Sequence, residues 1–586
     1  MKKIISLLLA TIMSFALLTA CGTPPVNDDT PTAPPVTSVD LSGTKIILSD
    51  DDVLVDGVRA SEDSSQAVYV AHDIIYYEDG HDFTYGEGEE SEMHSKEEAD
   101  QHTVIHITQP GDYVLSGALS AGQIAVDLGK DAKENPNAVV SLYLNGVDIV
   151  NTVAPAIIFY NVYEPFHEVE AETATKDVDT SAAGANVFIV DGTENIVTGS
   201  HVARIYKPDS VVLSEDGTEV IDEKKLHKYD GAFYSKMTMN INGDEENTGV
   251  LNIIADNEGL DSEMHLTING GVININSGND GINTNEDGVS VMTMNGGILN
   301  IMVTGSTGEG DGIDSNGWLV INGGAVFAQA CGFSGDSGID SDMGIHINGG
   351  IVAASGNMLD RIAGNQQNYA VLSFEKALGE GTYSLKNNNN EVVISAELTN
   401  DFTNLIVSGP ALSEGDYTLW YNDTQLVGLA GEGGMIGGMG PNFGEMPNNS
   451  PEDIEPGMTP PEGMLPPDGI NGDAPDGFNP DKMKPGNNSK EPNGDKKDKD
   501  DFIENEDGTI TFPDGTTINA DELQNKFQDK ENKMPNGQRP EGQPDREHGG
   551  LGGVFGDRAI DKSELSDIFT IIKGANYFSF ISAKTN

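Results

Sequence analysis

The sequence predicts an all-β protein built as a parallel β-helix, and three observations carry that prediction. A short phrase is written four times: Gly-Leu-Asp-Ser-Glu at 259–263 with Asn-Gly-Gly at 269–271, Gly-Ile-Asn-Thr-Asn at 281–285 with 295–297, Gly-Ile-Asp-Ser-Asn at 312–316 with 322–324, and Gly-Ile-Asp-Ser-Asp at 338–342 with 348–350. With a partial copy at Asn242 and Gly243, the asparagines fall at 242, 269, 295, 322 and 348, so the period is 26 or 27 residues. A period that constant means stacked, equivalent units. Apolar residues then alternate on both sides of each Asn-Gly-Gly, as at Leu266 and Ile268 before and Ile273 and Ile275 after, which is the strand period. No helix-length apolar pattern separates these runs, so successive units stack about 4.8 Å apart without crossover helices.

Each unit therefore offers two strands of about five residues and a third, shorter one at the Gly-Ile-Asp-Ser stretch. In that register the asparagines stand above one another and their amides can bond along the stack. The glycines that follow supply positive φ at the corner.

The other corner carries the chemistry. Residues 237–360 contain seventeen acids and neither lysine nor arginine. Most lie in or beside the Gly-x-Asp-Ser corner, where stacking brings carboxylates to contact distance, an arrangement that is repulsive if unrelieved. A hard divalent cation relieves it, and calcium, which takes six to eight oxygens in loose geometry, suits carboxylates, Asn side chains and carbonyls at such a corner. The candidate ligands are Asp261, Glu263, Asp280, Asn283, Asn285, Asp287, Asp311, Asp314, Asn316, Asp336, Asp340 and Asp342. The bland alternative is a solvated acidic face, and clustering at one repeat position argues against it.

The order Gly-Ala-Phe-Tyr-Ser-Lys at 231–236, Met-Asn-Ile-Asn-Gly at 239–243, and the repeated Gly-[Ile/Leu]-[Asp/Asn]-[Ser/Thr] and Asn-Gly-Gly resembles a surface carbohydrate-binding family. The resemblance runs over about residues 39–428 and is most specific in 231–360. It implies a right-handed parallel β-helix related in shape to pectate lyases, bound calcium, and binding of cellulose and acidic polysaccharides. Members commonly have Lys after Gly-Ile at this corner; this chain has Asp or Asn, which makes the face more acidic and a polyanion dependent on metal.

The remaining chain divides around this core. A formal net charge of −63 excludes nucleic acid or an anionic membrane surface as a direct electrostatic partner. Apolar residues make up only 37% of the chain, with 70 glycines, which fits a turn-rich solenoid with an unstructured appendage. Residues 1–20, with Lys2, Lys3, an apolar run and Leu-Thr-Ala before Cys21, read as a bacterial lipoprotein signal, with Cys21 the lipidated residue and 21–38 a flexible tether. The expectation is a monomer held by that lipid on the extracellular face of the envelope. Cys331 has no intrachain partner and reads as a buried apolar residue.

Residues 39–362 are expected to form the β-helix, its first strands capping one open edge. Two polar excursions, 164–183 and 207–229, leave the stack, either dangling or folding over one face. Residues 363–430 read as a β cap and 431–556, rich in Gly, Pro, Met and Asn, as a disordered insertion with an isolated hairpin at 502–518. The strongly β-prone run at 567–581, within the terminal segment 557–586, is expected to pair back onto the cap near 417–426.

Three function classes fit. The first is a non-catalytic, calcium-dependent binder of cell-wall polysaccharide, cellulose or a pectin-like acidic glycan, lying along a flat flank. Trp318 and Phe327, at outward strand parities, and more weakly Phe333 and Tyr234, are its candidate stacking rings, with packing under a loop as the alternative for each. The second is a polysaccharide lyase, which needs a base and cations beside the metal. The repeats supply no cation, Lys236 and Arg361 stand at opposite ends, and strand histidines such as His265 and His346 are usually packing residues. The third is a wall-structural adhesin.

Overall fold

The computed structural model describes residues 41–214, 216–429 and 565–583, and three short strands between 503 and 519. The signal, the tether with Cys21 and most of the 431–556 stretch lie outside the described residues. The described chain is all-β, with a four-residue α-helix, Lys96–Ala99, and a few single 3-10 turns.

Three parallel ladders run through the repeats. In the first, Ala185–Ile189, Met239–Gly243, Leu266–Ile268, Val291–Met294, Trp318–Ile321 and Gly344–Ile347 pair each with the next. In the second the order is Glu194–Gly199, Val250–Ala255, Val272–Ser277, Ile298–Val303, Ala325–Gln329 and Ile351–Gly356. The third takes Ile157–Asn161, Gly231–Ser235, Glu258–Ser262, Ile282–Thr284 and Ile313–Ser315. Each strand thus bonds to its equivalent one repeat later. Register puts Leu266, Met292, Leu319 and Ile345 in one column, Ile273, Leu299, Val326 and Val352 in another, and Leu260, Ile282 and Ile313 in a third. All are fully buried in one continuous apolar core, each such side chain contributing about 1.5 to 3 kcal/mol.

The asparagine corner is as expected. Nδ2 of Asn269, Asn295, Asn322 and Asn348 each donates to Oδ1 of the preceding asparagine at 2.9 Å. A second amide ladder, Asn252, Asn274 and Asn300, runs beside it at 2.8 Å. Both glycines of the pair press on the repeat before, a Cβ on Gly324 standing 2.7 Å from the Gly297 carbonyl oxygen, but they differ in backbone. Only the second of each pair has positive φ, +85° at Gly271, +83° at Gly297, +75° at Gly324 and +80° at Gly350. The first is excluded from carrying a side chain by close approach, since a Cβ on Gly323 would stand 2.5 Å from the Asn295 carbonyl oxygen. Gly324→Val is therefore expected to cost about 1 to 3 kcal/mol through backbone strain. Gly323→Val, which meets the close contact without the positive φ, should cost no more than Gly324→Val, which meets both, and thermal melting of each single variant measures them.

Above the repeats the parallel order stops. Phe402–Ser408 runs antiparallel to both Ile351–Gly356 and Tyr369–Leu378, around a separate core with Phe402, Leu405, Leu419 and Phe578. Ala575–Ala583 lies parallel to Tyr369–Leu378 and antiparallel to Thr424–Leu429, while Phe569–Ile571 pairs with Gly415–Tyr421. The C-terminal run thus returns to the cap. The large sheet as a whole is mixed, parallel along the repeats and largely antiparallel in the cap. Ile503–Glu504, Thr509–Thr511 and Thr517–Asn519 form an antiparallel three-stranded sheet, one strand more than the expected hairpin.

Neither excursion dangles. In 164–183, the Thr180 hydroxyl bonds Asn240 and Thr267 on the first ladder, and the Phe166 ring stands edge-on to His265 at 4.3 Å. The second excursion belongs to a hairpin of Val202–Tyr206 with Lys225–Tyr229, whose returning arm comes down beside the acidic corner.

Candidate metal and glycan site

On the third ladder the chain bends at each Gly-[Ile/Leu], with Ile or Leu inward and polar residues on either side outward. Register then generates three outward columns. Glu258, Asp280 and Asp311 precede the corner glycines at 259, 281 and 312, whose strands pair in order. Tyr234, Asp261, Asn283 and Asp314 form the second, continued by Asp340, whose N–H donates to the Ile313 carbonyl at 2.7 Å. The third is Lys236, Glu263, Asn285, Asn316 and Asp342, each N–H from Glu263 onward donating to the strand before.

Two groups of carboxylates converge within these columns. Asp230, Glu258 and Asp261 present oxygens within 4.8 Å of one another, and so do Asp311, Asp314 and Asp340. In the first group Glu258 and Asp261 are buried, and Glu258 Oε2, Asp261 Oδ2 and the neighbouring Asn283 Oδ1 have no hydrogen-bond donor. Three buried acceptors without a donor, beside a third carboxylate, form an all-oxygen donor set of the type a hard cation takes. Lys228 Nζ reaches Asp230 at 2.7 Å, so three carboxylates face one ammonium and a divalent charge is left over. Burial opposes the Lys228 ammonium, but Asp230, Glu258 and Asp261 outweigh it and hold its pKa up.

The second group has no lysine or arginine ion pair among the described residues. Burial, with Asp280 and Asp340 nearby, pushes the Asp311 carboxyl up to about 9. Burial and neighbouring aspartates bring Asp280 and Asp340 to about 7 and Asp314 to about 6. Glu258 and Asp261 are likewise raised, by burial first and then by the acids around them. Such groups must take up protons or a cation, and a divalent ion answers several at once. The residues present therefore fit calcium.

Other expected ligands are placed elsewhere. Glu263 accepts from Lys225 at 3.2 Å and from the Tyr234 hydroxyl, so it is an ion-pair partner and not a member of either group. Asp336 accepts from Gly310 N–H and the Ser334 hydroxyl. Asn285 donates to Asp261 at 2.8 Å, bracing the first group, and Asn316 donates to Asp287 at 3.1 Å, with Asp342 near enough to Asp287 to feel its charge. Asp230, Glu258, Lys225 and Lys228 were missed as site residues. An acid directly before the corner glycine recurs at Asp230, Glu258, Asp280 and Asp311, and that signal was available for the first two.

The aromatic candidates separate. Phe327 packs against the cap core, and the Tyr234 ring is buried beside Tyr229, which corrects both as open stacking faces. Trp318 is half-buried at the start of its strand, between Val291 and Gly344, and Phe333 is 70% exposed. Trp318→Ala is expected to weaken binding of a neutral cello-oligosaccharide by about 1 to 3 kcal/mol while leaving metal binding unchanged, measured by calorimetry with and without chelator. His265 accepts the Val291 N–H through Nδ1 at 3.0 Å and burial pushes it down to about 4, so it is a packing residue. Arg361 donates to the Met343 carbonyl at 3.2 Å.

The solved structure titled "Structure of the polysaccharide lyase-like protein from C. thermocellum, Gadolinium derivative" matches with 20% identity over 52% of this chain and 90% of that one, at a TM-score of 0.28. No curated protein matches the chain. The model of a family described as carbohydrate-binding domain-containing protein matches residues 101–392, the stretch that holds all three ladders and both carboxylate groups, and this similarity supports a polysaccharide as the partner of that stretch.

Proposed function

We propose that the protein is a non-catalytic, calcium-dependent binder of cell-wall polysaccharide. Its repeats are read as a right-handed parallel β-helix, displayed at the extracellular face of a bacterial envelope by a lipid on Cys21. The observation that carries this reading is the pair of carboxylate groups stacked along one face, the largely buried Asp230, Glu258 and Asp261 with Asn283, and the half-buried Asp311, Asp314 and Asp340. The face by itself repels polyanions. A divalent ion held by the half-exposed Asp311, Asp314 and Asp340 would supply the positive charge to which carboxylates of a polyuronate such as polygalacturonate could bind. The chain's own residues fix the oxygens; the ion supplies the positive charge.

A second reading, a lyase acting by β-elimination, gains one observation in its favour. The returning hairpin arm brings Lys225 and Lys228 to the acids, where the repeats have no cation of their own. Lys228 is paired with Asp230 and Lys225 with Glu263, and Lys236 stands in the third column beside Glu263 rather than in either carboxylate group, which leaves non-catalytic binding as the better reading. Retention on a polygalacturonate matrix in calcium, with release by chelator and no rise in absorbance at about 235 nm from unsaturated uronate, is the expected result. Retention in excess chelator contradicts the metal bridge, and a calcium-dependent rise in absorbance replaces the binder by a lyase.

A further inference from the structure

At the N-terminal end of the third outward column stands a lysine that no described carboxylate pairs. Lys236 stands directly below Glu263, because Ser235 pairs with Ser262 and the Glu263 N–H donates to the Ser235 carbonyl at 2.8 Å. Glu263 Oε1 already takes Lys225 Nζ at 3.2 Å and the Tyr234 hydroxyl. Lys236 makes no ion pair among the described residues; its Nζ lies 5.6 Å from the centre of the Tyr229 ring. Asp127, the other acid that feels it, is engaged by the Asn161 amide at 2.8 Å. Lys225 also acts on Asp261 and Glu286, so Lys236 is the ammonium left without a paired carboxylate. In a chain of net charge −63 a half-buried lysine without a carboxylate of its own is an unusual place to spend desolvation.

We infer that Lys236, with Lys225 beside it, is a carboxylate subsite that holds one uronate of the acidic glycan at the foot of the columns. A carboxylate gives Lys236 the partner it lacks, and the ammonium can donate to it without breaking the Lys225–Glu263 pair. The subsite sits at one end of the columns, so it fixes where a metal-bridged chain begins and which way it runs. One ammonium pair against so many acids does not hold the chain alone, and the subsite therefore rests on the proposed metal-bridged reading.

The test is calorimetry of trigalacturonate and cellotriose at saturating calcium on the full chain and on Lys236→Met, Lys236→Arg and Lys225→Met, with terbium luminescence reporting metal load and a melting curve reporting folding. Lys236→Met is expected to weaken trigalacturonate by about tenfold or more with terbium load and melting unchanged. Lys236→Arg should recover most of the affinity, Lys225→Met should lose less than Lys236→Met, and cellotriose should be indifferent throughout. Equal trigalacturonate affinity in the parent and Lys236→Met overturns the subsite while leaving the metal-bridged reading intact. No trigalacturonate binding by the parent at full metal load overturns both.

Discussion

Stripping divalent ions at pH 8 is expected to lower the melting temperature by on the order of 10 °C, and lowering the pH in chelator is expected to restore much of it. A ligand that binds only the native state stabilises by about 2.7 kcal/mol at a hundredfold excess over its Kd. Two such sites, at roughly 2 to 4 °C per kcal/mol, give the shift. The pH effect has the opposite sign to the usual aspartate. Asp311 is raised to about 9, Asp280 and Asp340 to about 7 and Asp314 to about 6 by burial and like charge. The native state therefore binds more protons than the unfolded chain. Stability from these groups is fully present below the ordinary carboxylate pKa near 4 and is lost as pH rises through 6 to 9. Metal-free protein should melt progressively lower from pH 5 to pH 9, whereas calcium-loaded protein should show a flat profile. Magnesium, which keeps near-ideal octahedral geometry and dehydrates reluctantly, should rescue poorly. A melting profile indifferent to chelator between pH 7 and 9 would leave the columns as solvated surface.

Replacing Asp311, Asp314 and Asp340 together is the second large effect. As alanines they should abolish calcium-dependent retention on polygalacturonate, because the only charge that attracts a polyanion there comes from the ion they hold. As asparagines they should do the same while raising the metal-free melting temperature at pH 8, since a half-buried like-charge cluster is replaced by neutral amides. Loss of retention with a melting temperature raised in chelator cannot be mistaken for unfolding. Undiminished retention by the asparagine variant would remove the second group from the binding face.

Much of this was legible in the sequence, for a definite physical reason. A stack repeats its register, so residues 26 or 27 apart become neighbours, and Asn242 to Asn348 and Asp311, Asp314 and Asp340 could be placed side by side from spacing alone. What spacing does not carry is the path of chain outside the repeat. Lys225 and Lys228 reach the acids through a hairpin whose arms meet at Val202 and Tyr229, and Phe327 is covered by strands that begin at Tyr369. Parity along a strand gives the side of the sheet, which was right for Phe327, but not what lies over it. Tyr234 was misread for a related reason, because the hairpin that buries it is an excursion with no period. The glycine pair shows the limit from the other side: positive φ at Gly324 follows from its corner, whereas the contact at Gly323 depends on the carbonyl of Asn295 one repeat away.

The most direct test of the central claim is diffraction from crystals grown in calcium and soaked with oligogalacturonate, with anomalous differences locating the metal. Ions are expected among Asp230, Glu258, Asp261 and Asn283 and among Asp311, Asp314 and Asp340, each bound by oxygens at about 2.3 to 2.6 Å, with a sugar carboxylate at the half-exposed second group. Crystals in which both groups hold only water, or in which the oligosaccharide lies on a face remote from them, would contradict that claim.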